Sequence, residues 1–150
     1  WSSDVCSSDL NAVATDSVTG VITAISSDSC ADCHGTAMTP AAMNAAKAAF
    51  AVALDDLENE LNRRNIFFNP ATGSFHRDDA FTVAVDYALS ANEGPIAVAR
   101  KDLQGAAFNF WLFKYKGADP AGYVHNPAYA IKLVNDSTDL LIDNAINGNF

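Results

Sequence analysis

The segment Cys30-Ala31-Asp32-Cys33-His34 constrains this chain more than any other feature. Two cysteines three apart, with histidine directly after the second, form the spacing through which c-type haem is attached. The chemistry requires that spacing. Each thiol adds to one vinyl group of the porphyrin as a thioether, and two intervening residues let the chain span the macrocycle edge. The adjacent imidazole is then held beneath the iron as the proximal ligand. Other readings of the motif exist. A redox dithiol of this pattern would open a helix in a βαβ setting, whereas residues 27–39 are a loop-like run of small residues. Zinc requires four ligands. Cys30 and Cys33 with two of His34, His76 and His125 would supply them, but without a second close pair. A chance match is the last alternative. One covalently attached haem c accounts for all three motif residues together.

The third cysteine, Cys6, lies in the opening string WSSDVCSSDL, whose SSDVC and SSDL blocks nearly repeat. The string has no amphipathic period and no basic leader, so it does not read as a secretory signal. Residues 1–10 are read as a non-native artefact, the alternative being a Ser/Asp-rich linker, and Cys6 is given no role. Residues 11–150 are then one domain, expected to be the C-terminal piece of a longer protein whose signal peptide would lie upstream.

Composition narrows the function classes. The chain has 18 acidic and 9 basic residues, a net charge of −9. Setting aside Asp4 and Asp9 of the opening string leaves it acidic. Such a balance argues against nucleic acid as partner, because phosphate binding needs a basic footprint. No apolar run approaches the roughly 20 residues of a membrane span. Residues that are 49% hydrophobic exclude a disordered chain. Much of that share is alanine, so the side-chain core is thin and a tethered cofactor would supplement it.

The pattern is mainly α: three to four helices packed around the covalently attached haem, with an extended N-terminal lead and irregular loops. Residues 17–26 alternate apolar and polar and read as a strand or extended segment. Thr39-Pro40 is a capped helix start. The helix it opens runs to about residue 64 on the stripe Met43, Ala46, Phe50, Leu54, Leu57 and Leu61. Arg63 and Arg64 stand at its C-terminal end, where the helix dipole favours cations. Residues 65–79 read as an irregular connection, and Asp78 or Asp79 as the cap of a helix over 80–91. Gly94-Pro95 ends it. A helix over 96–115 is apolar nearly all round and should be central. Asn126-Pro127 opens a last helix, 127–147, with Tyr129, Leu133, Leu140 and Leu141 as apolar positions.

A haem held by His34 leaves its sixth position to histidine, methionine or nothing. Met38 is too near His34 in sequence to cross the haem, and Met43 sits on the helix stripe as a core residue. His76 and His125 remain. His125 is favoured, because a capped helix follows it and would fix its backbone. His76, in Phe75-His76-Arg77, is the lesser metal-ligand candidate, with a surface or supporting role as its alternative. Phe108, Phe110, Trp111, Phe113, Tyr123 and Tyr129 are either haem lining or ordinary core. Arg77, Arg100, Lys101 and Lys132 are either propionate partners or solvated charges.

The stretch GAAFNFWLFKYKGADPAGYVHNPAYAIKLVNDSTDLL, residues 105–141, resembles the C-terminal region of bacterial multihaem c-type cytochromes. These show a G-A helix with an N-aromatic pair, then H-N-P-x-Y-A, then a closing helix with D-S-x-D. LNRRNIFFNPATGSF resembles their linker after the last haem motif. The resemblance covers most of residues 28–145. It implies that His125, in the H-N-P-x-Y element, is a distal haem ligand, and that further hemes lie upstream in the parent protein. It also implies electron transfer by a bis-histidine haem rather than an enzyme, to neighbouring hemes, a redox protein or an extracellular acceptor. The location implied is periplasmic or extracellular. The alternatives are a multihaem oxidoreductase or ligand sensor with an open haem site, and a haem-free or zinc-bound structural cap.

Overall fold

The computed structural model describes residues 13–25, 39–115 and 127–146. These residues hold four helices and two two-stranded sheets, so the chain is mainly α as its pattern predicts. The chain divides into two compact units, Trp1–Ala48 and Ala49–Phe150.

In the first unit, β1 (Val13–Thr15) pairs antiparallel with β2 (Ile22–Ile25). The lead expected as one extended segment over 17–26 is therefore a hairpin, and residues 16–20 form its turn. Asp16 makes that turn: its carboxylate accepts the Thr19 backbone N–H at 2.7 Å and the Val18 N–H at 3.1 Å. Gly20 follows at φ +66°, which glycine adopts without strain. The first turns of α1 (Pro40–Asn62) clasp the hairpin. Asn44 exchanges two hydrogen bonds with the backbone of Ile22, each 2.9 Å, and Lys47 Nζ donates to the Gly20 carbonyl at 2.8 Å. Helix α1 starts where the sequence places it: Thr39 Oγ1 accepts the Ala42 N–H at 3.2 Å. Met43 is buried.

In the second unit, Phe50, Leu54, Leu57 and Leu61 of α1 are buried at spacings of three and four, as the stripe predicts. The helix ends two residues earlier than expected. Asn65 takes φ +54°, its N–H bonds the Asn62 carbonyl, and the Ile66 N–H bonds the Leu61 carbonyl at 3.0 Å. This is a Schellman cap, with asparagine in the left-handed position. Residues 65–79 are not irregular throughout. Strand β3 (Phe67–Asn69) pairs with β4 (Ser74–His76) around a loop containing Pro70 and Gly73.

The helix expected over 80–91 shrinks to α2 (Tyr87–Ser90), capped by Asp86. Asp78 does not cap a helix. Its carboxylate takes the N–H groups of Thr82 and Val83, closing a tight loop in which Phe81 sits at φ +58°. Thr82, Val83 and Val85 are β-branched and favour extended backbone over helix, and Ala84 forms a bridge to His76.

Helix α3 (Arg100–Lys114) begins four residues late: residues 96–99 are not helical, and Ala99 enters the helix from an extended conformation. It buries Leu103, Ala106, Ala107, Phe110 and Phe113, so it is central, but it is not buried all round: Phe108 is 57% exposed. Helix α4 (Pro127–Asp143) buries Ala130, Val134, Ser137 and Leu141. It stops four residues short of the expected end. Tyr129, expected on the apolar face, is exposed, and Leu133 and Leu140 are partly buried. Asn109 Nδ2 donates to Ser137 Oγ at 2.9 Å and pins α3 to α4. Aromatic edges close the core: Phe50 meets Phe113 at 5.2 Å, and Phe68 meets Phe110 at 5.4 Å.

Candidate functional site

The motif residues Cys30, Cys33 and His34 lie outside the described residues, as do Cys6, Met38, Tyr123, His125 and the Asn126 cap. Their place in the chain is defined by what flanks them. Segment 26–38, with the motif, joins β2 to α1, and segment 116–126, with His125, joins α3 to α4. The donor set of segment 26–38 is two thiols and an imidazole, which fits the two vinyl groups and one axial position of haem c. Among the described residues no cluster of three or more His, Cys, Asp or Glu side chains could hold a metal ion.

His76 is the one candidate ligand that the structure describes. It ends β4, opposite Phe67 in register and bridged to Ala84 on its other edge. Its Nε2 lies 2.9 Å from Ser74 Oγ, which in turn lies 2.6 Å from Thr72 Oγ1. Its Nδ1 is buried with no hydrogen-bond partner. The Phe81 ring meets the imidazole edge to face with centroids 5.6 Å apart, and Phe81 is the left-handed residue of the Asp78 loop. An iron ligand must present an open nitrogen lone pair. Here one nitrogen is engaged by a hydroxyl and the other is enclosed, so ligation by His76 requires Ser74 to release Nε2.

Carboxylates already hold three of the four cations considered as propionate partners. Arg77 pairs with Glu93 at 2.8 Å and donates to Ser90 Oγ. Lys101 pairs with Asp102 at 2.7 Å, and Lys132 with Asp136 at 2.7 Å. Arg100 is exposed at the start of α3. Glu93 is the centre of a polar patch. Its carboxyl is held below its ordinary pKa chiefly by the Arg77 hydrogen bond, with Asn65 assisting.

Arg64 was read from the sequence as a cation at a helix end. The structure shows why that reading is incomplete. Arg63 is the exposed one and pairs with Glu60 at 3.0 Å. Arg64 is fully buried. Its Nη1 donates to the Glu93 carbonyl and its Nη2 to the Leu141 carbonyl, the latter at 2.6 Å. It serves the C-terminal end of α4 rather than that of its own helix. Burial pushes its pKa down, against the pull of Glu60. Gly94, at φ +90°, leaves room for it: a Cβ there would lie 3.1 Å from Arg64 Cγ and Cζ. No periodic pattern signals a buried arginine. Only the juxtaposition of a second arginine and a cap-forming asparagine hints at it.

The aromatics also divide. Phe110 and Phe113 are core, whereas Phe108, Trp111 and Tyr115 stack along one side of α3.

No family model matches the chain, and no solved structure matches it. Two curated proteins of Geobacter sulfurreducens are similar to it. The C-type polyheme cytochrome OmcB is 35% identical over 139 residues, and the C-type polyheme cytochrome OmcC is 36% identical over 139 residues. Each alignment covers 86% of this chain and 18% of the relative, so the chain spans about a fifth of their length.

Proposed function

We propose, from the premise that this chain is similar along 86% of its length to a region of multihaem c-type cytochromes, that it transfers electrons through a covalently bound haem c. The observation that carries the reading is the presence of a complete Cys30-x-x-Cys33-His34 set in a chain with that likeness. Cys30 and Cys33 would hold the porphyrin as thioethers and His34 would ligate the iron. His125 would supply the second imidazole. Haem c supplies a one-electron couple there, and two imidazoles leave no open position for a substrate. The acidic surface steers encounter toward basic partners or a metal-containing acceptor. No helix among the described residues is long and apolar enough to cross a membrane. We place the domain in the bacterial envelope or outside it, where its redox partners are other hemes or redox proteins.

The test is production of the full chain in a host with haem-attachment machinery. Haem staining should persist on a denaturing gel, and the reduced spectrum should be low spin and indifferent to carbon monoxide. Absence of stain would sink the covalent haem. Ready carbon monoxide binding would remove His125 from the iron and favour an open-site oxidoreductase or sensor.

A further inference from the structure

Strand β4 pairs with β3 along one edge and bridges to Ala84 on the other. Just past that bridge the Arg77 N–H donates to the Val83 carbonyl at 2.9 Å. In an antiparallel ladder, bonded and non-bonded residue pairs alternate. Val83 stands in the bonded pair with Arg77, so Ala84 stands in the non-bonded pair with His76. The N–H and C=O of Ala84 therefore point away from β4. They are the two groups through which a residue exchanges both bonds with an added antiparallel strand. Among the described residues no further strand lies on that side, and Thr82, Val83 and Ala84 are all exposed.

Both ends of this edge are anchored. Asp78 takes the N–H groups of Thr82 and Val83 and the Thr82 hydroxyl. Asp86 takes the N–H groups of Ala88 at 3.0 Å and Leu89 at 3.1 Å. Binding here orders little of this chain, which lowers its entropic cost. Open edges are ordinarily guarded by lysine, proline, a bulge or a covering element. Residues 80–85, Ala-Phe-Thr-Val-Ala-Val, carry neither charge nor proline, and Val83 is 51% exposed. The surrounding charge is of one sign. From Asp78 to Ala99 the chain has four carboxylates, Asp78, Asp79, Asp86 and Glu93, and no lysine or arginine. Arg77, just before, is paired with Glu93. Asp79 and Asp86 are exposed on either side of the edge. A second copy pairing there would bring the same acidic ends to one seam. A strand with basic ends meets them with opposite charge, which favours cross-strand pairing.

We propose that the open edge at Ala84 takes up an extended segment of a partner protein, basic at both ends and β-branched between, as an added β-strand. The segment's backbone exchanges bonds with Ala84, an apolar side chain packs on Val83, and the basic ends face Asp79 and Asp86. The surface draws nothing from the haem reading above and stands or falls apart from it.

The test titrates the full chain into a fluorescently labelled peptide, Lys-Lys-Thr-Val-Thr-Val-Lys-Lys, at low salt, and reads anisotropy. Saturable binding is expected. Methylating the backbone nitrogens of the central Thr-Val-Thr-Val keeps the charge and removes the strand's donors, and should weaken binding at least tenfold. Replacing the peptide's lysines with glutamate should abolish it. Ala84→Pro removes the N–H that points away from β4, a position where an edge tolerates proline, and should weaken binding of the parent peptide at least tenfold. Circular dichroism checks that this variant folds; should it not, the methylated peptide on the parent chain decides. Absence of saturable binding overturns the proposal. So does equal binding of the methylated peptide, which marks bare attraction to a chain of net charge −9, equal binding of the glutamate peptide, or equal binding by a folded Ala84→Pro. A parent dimer that Ala84→Pro converts to monomer overturns it too, and assigns the edge to a second copy.

Discussion

Replacing Arg64 with methionine keeps most of the buried volume and removes the guanidinium. Two carbonyls then lose their donor, Glu93 in a part-buried position and Leu141 in a buried one. An unsatisfied buried acceptor costs about 1–3 kcal/mol. Glu60, itself buried, loses one of the two cations it interacts with and keeps Arg63. Against these losses stands the dehydration of the arginine cation, which lowers its pKa in the folded chain and is relieved by the substitution. The net destabilisation expected is about 2–4 kcal/mol, the larger part from the orphaned carbonyls. At about 4 °C per kcal/mol for a unit of this size, the midpoint should fall by roughly 8–16 °C. The assay is thermal unfolding followed by far-ultraviolet circular dichroism, on preparations matched for haem content. Arg64→Lys should fall between the two, since one ammonium on a shorter head cannot serve both carbonyls. A methionine variant that melts within about 2 °C of the parent, or above it, would refute the reasoning: dehydration of the cation would then outweigh its hydrogen bonds.

Cys33→Ser should lower haem retention on a denaturing gel, while His125→Ala should keep the stain and move the spectrum toward high spin; an unchanged spectrum excludes His125 as ligand. Gly73→Ala meets both the Tyr115 ring and a backbone angle of +72°, and should lower the urea midpoint by an amount equivalent to at least about 1–2 kcal/mol. For Glu93, the folded pKa lies below the unfolded one, chiefly through the Arg77 hydrogen bond. Its contribution is therefore present above about pH 4.3 and is lost as the pH falls through the lower folded value. Glu93→Gln should flatten the acid limb of the stability curve there; an identical slope in the two proteins would show that the Arg77 pair does not carry it.

Periodicity made the long helices legible. The Phe50, Leu54, Leu57 and Leu61 stripe and the Thr39-Pro40 start located α1 closely, because burial of one face and a side-chain cap are both local in sequence. The helix expected over 80–91 failed because Asp78 caps turns as readily as helices, and the β-branched run after it prefers extended backbone. The β3–β4 hairpin was present as two aromatic-containing runs around Asn69-Pro70-Ala71-Thr72-Gly73, a turn signal of the ordinary kind. The burial of Arg64 and its partners could not be read, since Glu93 and Leu141 are distant in the chain. Of the candidate site, the sequence identifies the chemistry through Cys30, Cys33 and His34. His76 looked like a plain lone histidine, and only tertiary structure shows its nitrogens engaged and enclosed.

The clasp of Asn44 and Lys47 on the β1–β2 hairpin has a kinetic consequence. A two-stranded ribbon of three- and four-residue strands has little stability of its own, so these side-chain bonds hold much of it in place. It is therefore a separate opening unit, governed by local rather than global unfolding. Its amide hydrogens should exchange with solvent well before those of Leu57 or Phe110. A protease that finds the hairpin open would cut there, and leave the larger unit's core as the longer-lived fragment.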